Sequence, residues 1–267
     1  MDTFTSFGHL EDNGLSHHDI WAMELNSLLI LLLIVFGTIV QTTTGFAMGL
    51  IIIGGVTVLG LAEIEMAAAI VSLISLVNAF VALRYSYKYV DKEFLKWIAL
   101  GMLPMILLGV FILDYLSGES GVFLRKLLGF VIVSAGILLM LKPTPFPKVS
   151  GKLTQIMVGA SGGLMGGMYG AGGAPLAYLM YRQPLDLNVI RATLLGSFAL
   201  STIFRTLSIS VAGQVTGDVL KLVGLAVPLV IVVTLLTNKV THLLPDVLIR
   251  RFVFILLIFL GLFLIYQ

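Results

Sequence analysis

The sequence predicts an all-α, polytopic membrane protein built as two inverted-topology repeats of about five hydrophobic segments each, every repeat starting with a broken or re-entrant helix pair. Three observations predict it. Of the 267 residues, 58% are hydrophobic and only 11% charged, whereas a soluble domain carries about 25% charged residues. The apolar residues fall in long runs, of the length that crosses a bilayer. A shift of 125 residues then brings the second half of the chain into register with the first. A mean hydropathy of +1.07 agrees with the first point, because so apolar a chain has too little polar surface to cover itself in water.

Ten hydrophobic segments can be read, at approximately 25–41, 45–60, 62–83, 95–114, 122–141, 153–168, 172–181, 189–212, 217–237 and 247–266. Two pairs of segments are short and are separated by no charge. Gln41-Thr42-Thr43-Thr44-Gly45 interrupts the first pair, and the run Gly166 to Gly173 interrupts the second. An uncharged break fits a helix pair whose turn lies inside the membrane. The same register places Gly37 on Gly162, Gly45 on Gly170, Ala67 on Ala192, Ser72 on Ser197 and Arg125-Lys126 on Arg250-Arg251. The expected organisation is a polar tail at 1–24, a first transmembrane repeat at 25–141, a cytoplasmic linker at 142–152 and a second repeat at 153–267.

Net charge is +2, and the placement of the cations says more than their sum. Arg84, Lys88, Lys92 and Lys96 follow the third segment. Lys142, Lys148 and Lys152 join the halves, and Lys239, Arg250 and Arg251 precede the last segment. Positively charged loops stay in the cytoplasm. The stretches near Glu63, Asp114 and Asp218 are poorer in cations and fall outside. The cationic loop 84–96 is then inside while its repeat partner near 212–217 is outside, so the halves are inverted. Inverted repeats with interrupted helices are an architecture of secondary transporters, with the substrate near the midplane. Both termini are expected in the periplasm, and residues 1–24 lack the basic start of a cleavable leader.

An interrupted helix inside a bilayer has chemical consequences. Backbone groups freed there must be satisfied. A helix restarting at the break presents free N–H groups and a partial positive charge, which suits an anion. The expected restarts are Gly45 and Gly172, with Gly166, Gly170 and Gly173 allowing close approach and Pro175 in the first turn, where its missing N–H costs little. Thr42, Thr43 and Thr44 add hydroxyls and Gln41 an amide. Glycine also serves helix packing in membranes, and that reading stands beside the first. Arg205 is an ionisable residue within a span, either a cation for the substrate or a side chain snorkelling to the outer interface. Asn78, Ser72, Ser75 and Ser197 are candidate hydrogen-bond partners.

Other classes find little support. No cysteine is present, which removes disulfides and thiol chemistry. No Walker A, HExxH or G-x-S-x-G sequence occurs, and the glycine run has no βαβ unit around it. His17 and His18 are adjacent, with His9 further off, which is not metal-ligand spacing. No Asp or Glu sits at the centre of a span, so an obvious carboxylate proton relay is missing. The chain is therefore expected not to be an enzyme, and to need no cofactor, no metal and no nucleic acid.

The segment Gln41-Thr42-Thr43-Thr44-Gly45-Phe46-Ala47-Met48-Gly49 resembles the Q-x-x-x-G-F-[GA]-x-G signature of the TauE/SafE sulfite exporter family. The segment from Gly162 to Pro175 is similar to that family's second-half G-x-x-x-G-x-x-G-x-G-G-x-x-P pattern. The resemblance covers the chain from Leu25 onward. It implies a bacterial inner-membrane secondary transporter exporting sulfite, organosulfonates or related small anions by alternating access. A passive anion channel on the same scaffold is the alternative. It also implies Gln41, Gly45, Gly166, Gly170, Gly172, Gly173 and Pro175 as site elements. One departure is Leu50, at the repeat position of Pro175, where members often carry proline. The partners implied are a small anion and the lipid bilayer, with a homodimer left open.

Overall fold

The computed structural model describes residues 17–119, 121–140, 145–240 and 246–266. The polar tail through His9 and the linker residue Lys142 lie outside these. The described residues form ten α-helices, with a single 3-10 turn at Tyr87–Tyr89. In chain order they are α1 (His17–Thr44), α2 (Met48–Val58), α3 (Ile64–Ser86), α4 (Lys92–Glu119) and α5 (Gly121–Met140), then α6 (Lys152–Tyr169), α7 (Gly173–Met180), α8 (Leu187–Val211), α9 (Gly217–Val240) and α10 (Asp246–Tyr266). Five of them contain a stretch long and apolar enough to cross a membrane: Leu25–Thr44, Ile64–Tyr89, Lys92–Leu116, Leu187–Val211 and Gly217–Val240. Large apolar side chains such as Phe111, Leu225 and Phe259 remain exposed on the outer faces, as a lipid-facing surface requires.

Several boundaries differ from the sequence expectation. The first helix does not stop at 41 but runs on to Thr44, and the second starts at Met48, not at Gly45. The reason is local. The Thr43 and Thr44 hydroxyls donate to the carbonyls of Ile39 and Val40 at 2.8 Å, four residues back, so the threonines complete the last turn of α1. Gly45 then ends the helix with φ +85°, its N–H donating to the Gln41 carbonyl at 2.7 Å. Only glycine reaches that left-handed conformation cheaply, and helices often end on it. Gly170 does the same for α6, with φ +64° and its N–H on the Gly166 carbonyl at 2.8 Å.

Both short pairs are antiparallel hairpins. A Cβ on Gly37 of α1 would meet Met48 and Ile52 of α2, and one on Gly55 would meet Leu33, so α2 runs back along α1. Likewise Gly162 faces Gly172 and Leu176, which folds α7 back on α6. The two ends of the second hairpin are tied together. The Phe146 N–H donates to the Arg182 carbonyl at 2.7 Å, the Ser150 N–H to Gln183 Oε1 at 2.9 Å, and the Arg182 guanidinium lies 4.1 Å from the Phe146 ring centre.

Glycine sets the closest helix pair. Gly159, Gly163 and Gly167 of α6 lie against the backbone carbonyls of Ile98, Met102 and Ile106, while Gly101 and Gly109 of α4 press on Ile156 and Leu164 in return. Such small-residue faces let helix backbones touch. Here the packing reading of glycine wins outright. Gly129, Gly136 and Gly261 join α5 to α10 in the same way.

Gly163→Val therefore forces α4 and α6 apart and should cost at least about 1–3 kcal/mol. Gly224→Ala, where an added Cβ meets nothing within 4 Å, should be neutral or stabilising by up to about 1 kcal/mol. Thermal melts of the two purified variants in detergent check the contrast.

A candidate anion site between the hairpin turns

The turns of the two hairpins touch. A Cβ on Gly49, at the start of α2, would lie 2.5 Å from the Gly170 carbonyl oxygen and 3.2 Å from Ala171 Cα. From the other side, a Cβ on Gly173 would meet Phe46 Cβ at 3.2 Å. Tyr181, just past α7, donates its hydroxyl to the Thr44 carbonyl at 2.5 Å and so satisfies one of the orphan acceptors that end α1. Ala47 is held at φ +83° as the residue before α2. A non-glycine residue in that region is strained, and such strain concentrates at functional sites.

A small cavity of about 20 Å³ lies at this contact, room for a body the size of one water. Its walls include Gln41, Ala47 and Gly49 from the first hairpin, Gly166, Gly170, Gly172 and Gly173 from the second, and Ser75, Phe198, Ser201, Thr202 and Arg205 from α3 and α8. The first N–H groups of α2 and α7 have no partner within their own helices. Both helices begin at residues that line this cavity or adjoin it.

Arg205 does not snorkel to the interface. It is 1% exposed and among the largest fully buried side chains. Its Nε donates to the Gly167 carbonyl at 2.8 Å and its Nη1 to the Ala68 carbonyl at 2.7 Å and to Ser72 Oγ. The guanidinium thus joins α8 to α6 and to α3. Its Nη2 is buried and has no hydrogen-bond partner among the described residues. A cation taken out of water needs a compensating charge or hydrogen bonds on all its donors. Arg205 has neutral partners on one edge and an unused donor on the cavity side.

The remaining expected residues sort differently. Asn78 and Thr42 lie next to the cavity in a closed network, not on its wall. Gln41 Nε2 donates to Asn78 Oδ1 at 2.8 Å, and Asn78 Nδ2 donates to Thr42 Oγ1 at 3.0 Å and to Thr234 Oγ1 at 2.8 Å. This network ties α1, α3 and α9 and orients the Gln41 amide. The Thr43 and Thr44 hydroxyls serve their own helix. Gly45 faces Arg191 and Leu194, so it shapes the turn without lining the cavity. Ser197 bonds back to the Thr193 carbonyl at 2.8 Å. Pro175 stands in the first turn of α7, again off the wall. The sequence reading missed Ala47, Gly49 and Phe198. An alanine forced to positive φ carries no sequence signal, and Phe198 reads as one more apolar residue in a span. Gly172 has no room for a side chain, because a Cβ there would overlap the Gly162 carbonyl oxygen. Its substitution tests hairpin packing before it tests any ligand.

An all-helical chain with membrane-length spans and a buried, incompletely bonded cation between two helix hairpins belongs to the class of multi-pass membrane transporters. More narrowly, residues 29–264 match the family described as "Sulfite exporter TauE/SafE", and the chain belongs to that family. It is similar to the "Probable sulfite/organosulfonate exporter TauE" of Cupriavidus necator (strain ATCC 17699 / DSM 428 / KCTC 22496 / NCIMB 10442 / H16 / Stanier 337). The two are 38% identical over 225 residues, which is 84% of this chain and 88% of the relative. No solved structure matches the chain.

Asn78→Leu breaks three hydrogen bonds at a fully buried position and leaves Gln41, Thr42 and Thr234 without their partner. The loss should be about 2–4 kcal/mol, at 1–3 kcal/mol for each group left unsatisfied. Thr43→Val, whose hydroxyl only returns to its own helix, should cost less than about 1 kcal/mol. Paired unfolding measurements in detergent distinguish them.

Proposed function

We propose that the protein is a secondary transporter that exports small sulfur-containing or carboxylate anions, and that the anion sits on Arg205 between the two hairpin turns. The carrying observation is the buried guanidinium whose Nη2 lacks a partner. The N-termini of α2 and α7 add partial positive charge from two directions. The hydroxyls of Ser75, Ser201 and Thr202 and the Gln41 amide supply further polar contacts on the wall. The relative's name, a sulfite and organosulfonate exporter, supports the choice of anion. The cavity is too small for a sulfur oxyanion as it stands, so binding must part the hairpin turns or shift α8.

The two-repeat reading forms part of the proposal, with repeats at 25–141 and 153–267 and a cytoplasmic linker at 142–152. Helix pairing supports it. The contact of α4 with α6 has its counterpart in that of α9 with α1, and the contact of α9 with α3 in that of α4 with α8. The pairs α3–α8 and α5–α10 map onto themselves. A pseudo-twofold exchange of halves produces such a set. Two hairpins that each return to their starting face, plus three crossing helices per half, give inverted halves with both termini in the periplasm of an inner-membrane protein. The site is nonetheless one-sided. The 125-residue shift carries Phe80, an exposed apolar residue, onto Arg205. Alternating access by relative movement of the halves then exposes a single cation to either side.

Arg205→Ala should lower anion flux into proteoliposomes roughly ten- to hundredfold, the equivalent of one charge-assisted hydrogen bond of about 1.5–3 kcal/mol. Arg205→Lys keeps the charge but loses the planar fork and should fall between. Monodisperse elution of each variant in detergent controls for folding. Normal flux in Arg205→Ala, or binding of sulfite unchanged in a thermal-shift assay, contradicts the site. Counterflow, in which unlabelled anion outside speeds exit of labelled anion, separates a carrier from a passive channel.

A further inference from the structure

The cavity between the hairpin turns has fourteen lining residues, and the one ionisable side chain among them is Arg205. The titratable groups on the surrounding elements are placed elsewhere. On α3, half-buried Glu65 lies one turn before Ala68 without lining the cavity, and Glu63 is exposed. On α4, Asp114 accepts a hydrogen bond from Gln214 at an exposed site. On α6, the Tyr169 hydroxyl donates to the Leu124 carbonyl. Past α7, Tyr181 bonds the Thr44 carbonyl and Arg182 bonds the Tyr178 hydroxyl. Arg191 stands near the start of α8.

A proton that travels with an anion needs a group on the path that gains and loses it, such as a carboxylate or an imidazole. A guanidinium does not serve, because it keeps its proton throughout. Resting on the anion-site reading above, we infer that transport is electrogenic. Each anion crosses with its charge uncompensated by a proton, and an interior-negative membrane drives it outward with no coupling ion. If Arg205 moves through the field with the anion, the loaded step is neutral and the return step carries one positive charge. The net charge per cycle is the same. One charge across about 100 mV is worth about 2.3 kcal/mol. That sets a roughly 50-fold outward gradient for a monovalent anion, enough for a detoxifying exporter to work on the resting potential alone.

The test uses the purified full-length protein in liposomes loaded with radiolabelled sulfite or, separately, methanesulfonate, which remains a monoanion across the pH range used. A potassium gradient with valinomycin sets about 100 mV, inside negative, at equal pH on both sides. The distribution at equilibrium is read, so the direction of insertion does not matter. The expected result is an outside-to-inside ratio of methanesulfonate rising toward about 50-fold and collapsing when the potential is removed. A pH difference of about one unit without a potential should leave that ratio at unity. The inference is overturned if either anion moves but its distribution follows the pH difference and ignores the potential. In that case loss of the pH response in Glu65→Gln would assign the proton to Glu65. Flux of neither anion under any condition removes the anion-transport reading itself, and this inference with it.

Discussion

A helix that stops inside a protein buried in lipid leaves N–H and C=O groups with nothing to bind, and almost every feature of this fold answers that constraint. Each hairpin turn must find partners for the end of one helix and the start of the next. The α1 end is closed by threonine hydroxyls, by the left-handed Gly45 and by the Tyr181 hydroxyl arriving from the other half. The α6 end is closed by Gly170 and by the Arg205 guanidinium, whose Nε takes the Gly167 carbonyl. Acceptors are thus satisfied by donors brought from elsewhere. The donors that begin α2 and α7 face the cavity side, where an anion would complete them.

Arg205 therefore has two duties that cannot be separated. It caps a helix end and bridges three helices, and it offers an unused donor edge to the cavity. A buried cation that only held helices together would be expected to spend all its donors on carbonyls. The Asn78 cluster next to it shows that alternative: a neutral, closed set of bonds among α1, α3 and α9. One side of the site is thus a rigid neutral wall and the other a charged, incompletely satisfied one. Selectivity for negative charge follows from the charged wall, and the geometry of the Gln41 amide from the neutral one.

Much of this was legible in the chain. Long apolar runs gave the helices, uncharged breaks located both hairpins, and one arginine amid Ser201, Thr202 and Thr206 marked the polar face of α8. What could not be read is tertiary. Thr42 to Thr44 look like loop hydroxyls, yet their bonds to carbonyls four residues back extend a helix through them. Gly45 looks like a helix start and is a helix end, since the left-handed residue that closes one helix and the glycine that opens another are the same letter. Asn78 looks like a ligand and is a strut, because its three partners come from residues as far apart as Gln41 and Thr234. The glycines of α6 could equally have lined a path or packed a neighbour. Only their position against α4 shows that Gly159 and Gly163 do the latter, while Gly166 and Gly170 reach the cavity.

The central claim is that a negative solute completes the donors converging from Arg205 and the two short helices. Electron cryo-microscopy of the protein with sulfite measures this most directly. The account predicts density within hydrogen-bond distance of Arg205 Nη2 and of the first amides of α2 and α7, with the turns at Ala47 and Ala171 moved apart. An ordered anion seated anywhere else, with Arg205 still buried and unaltered, would contradict it.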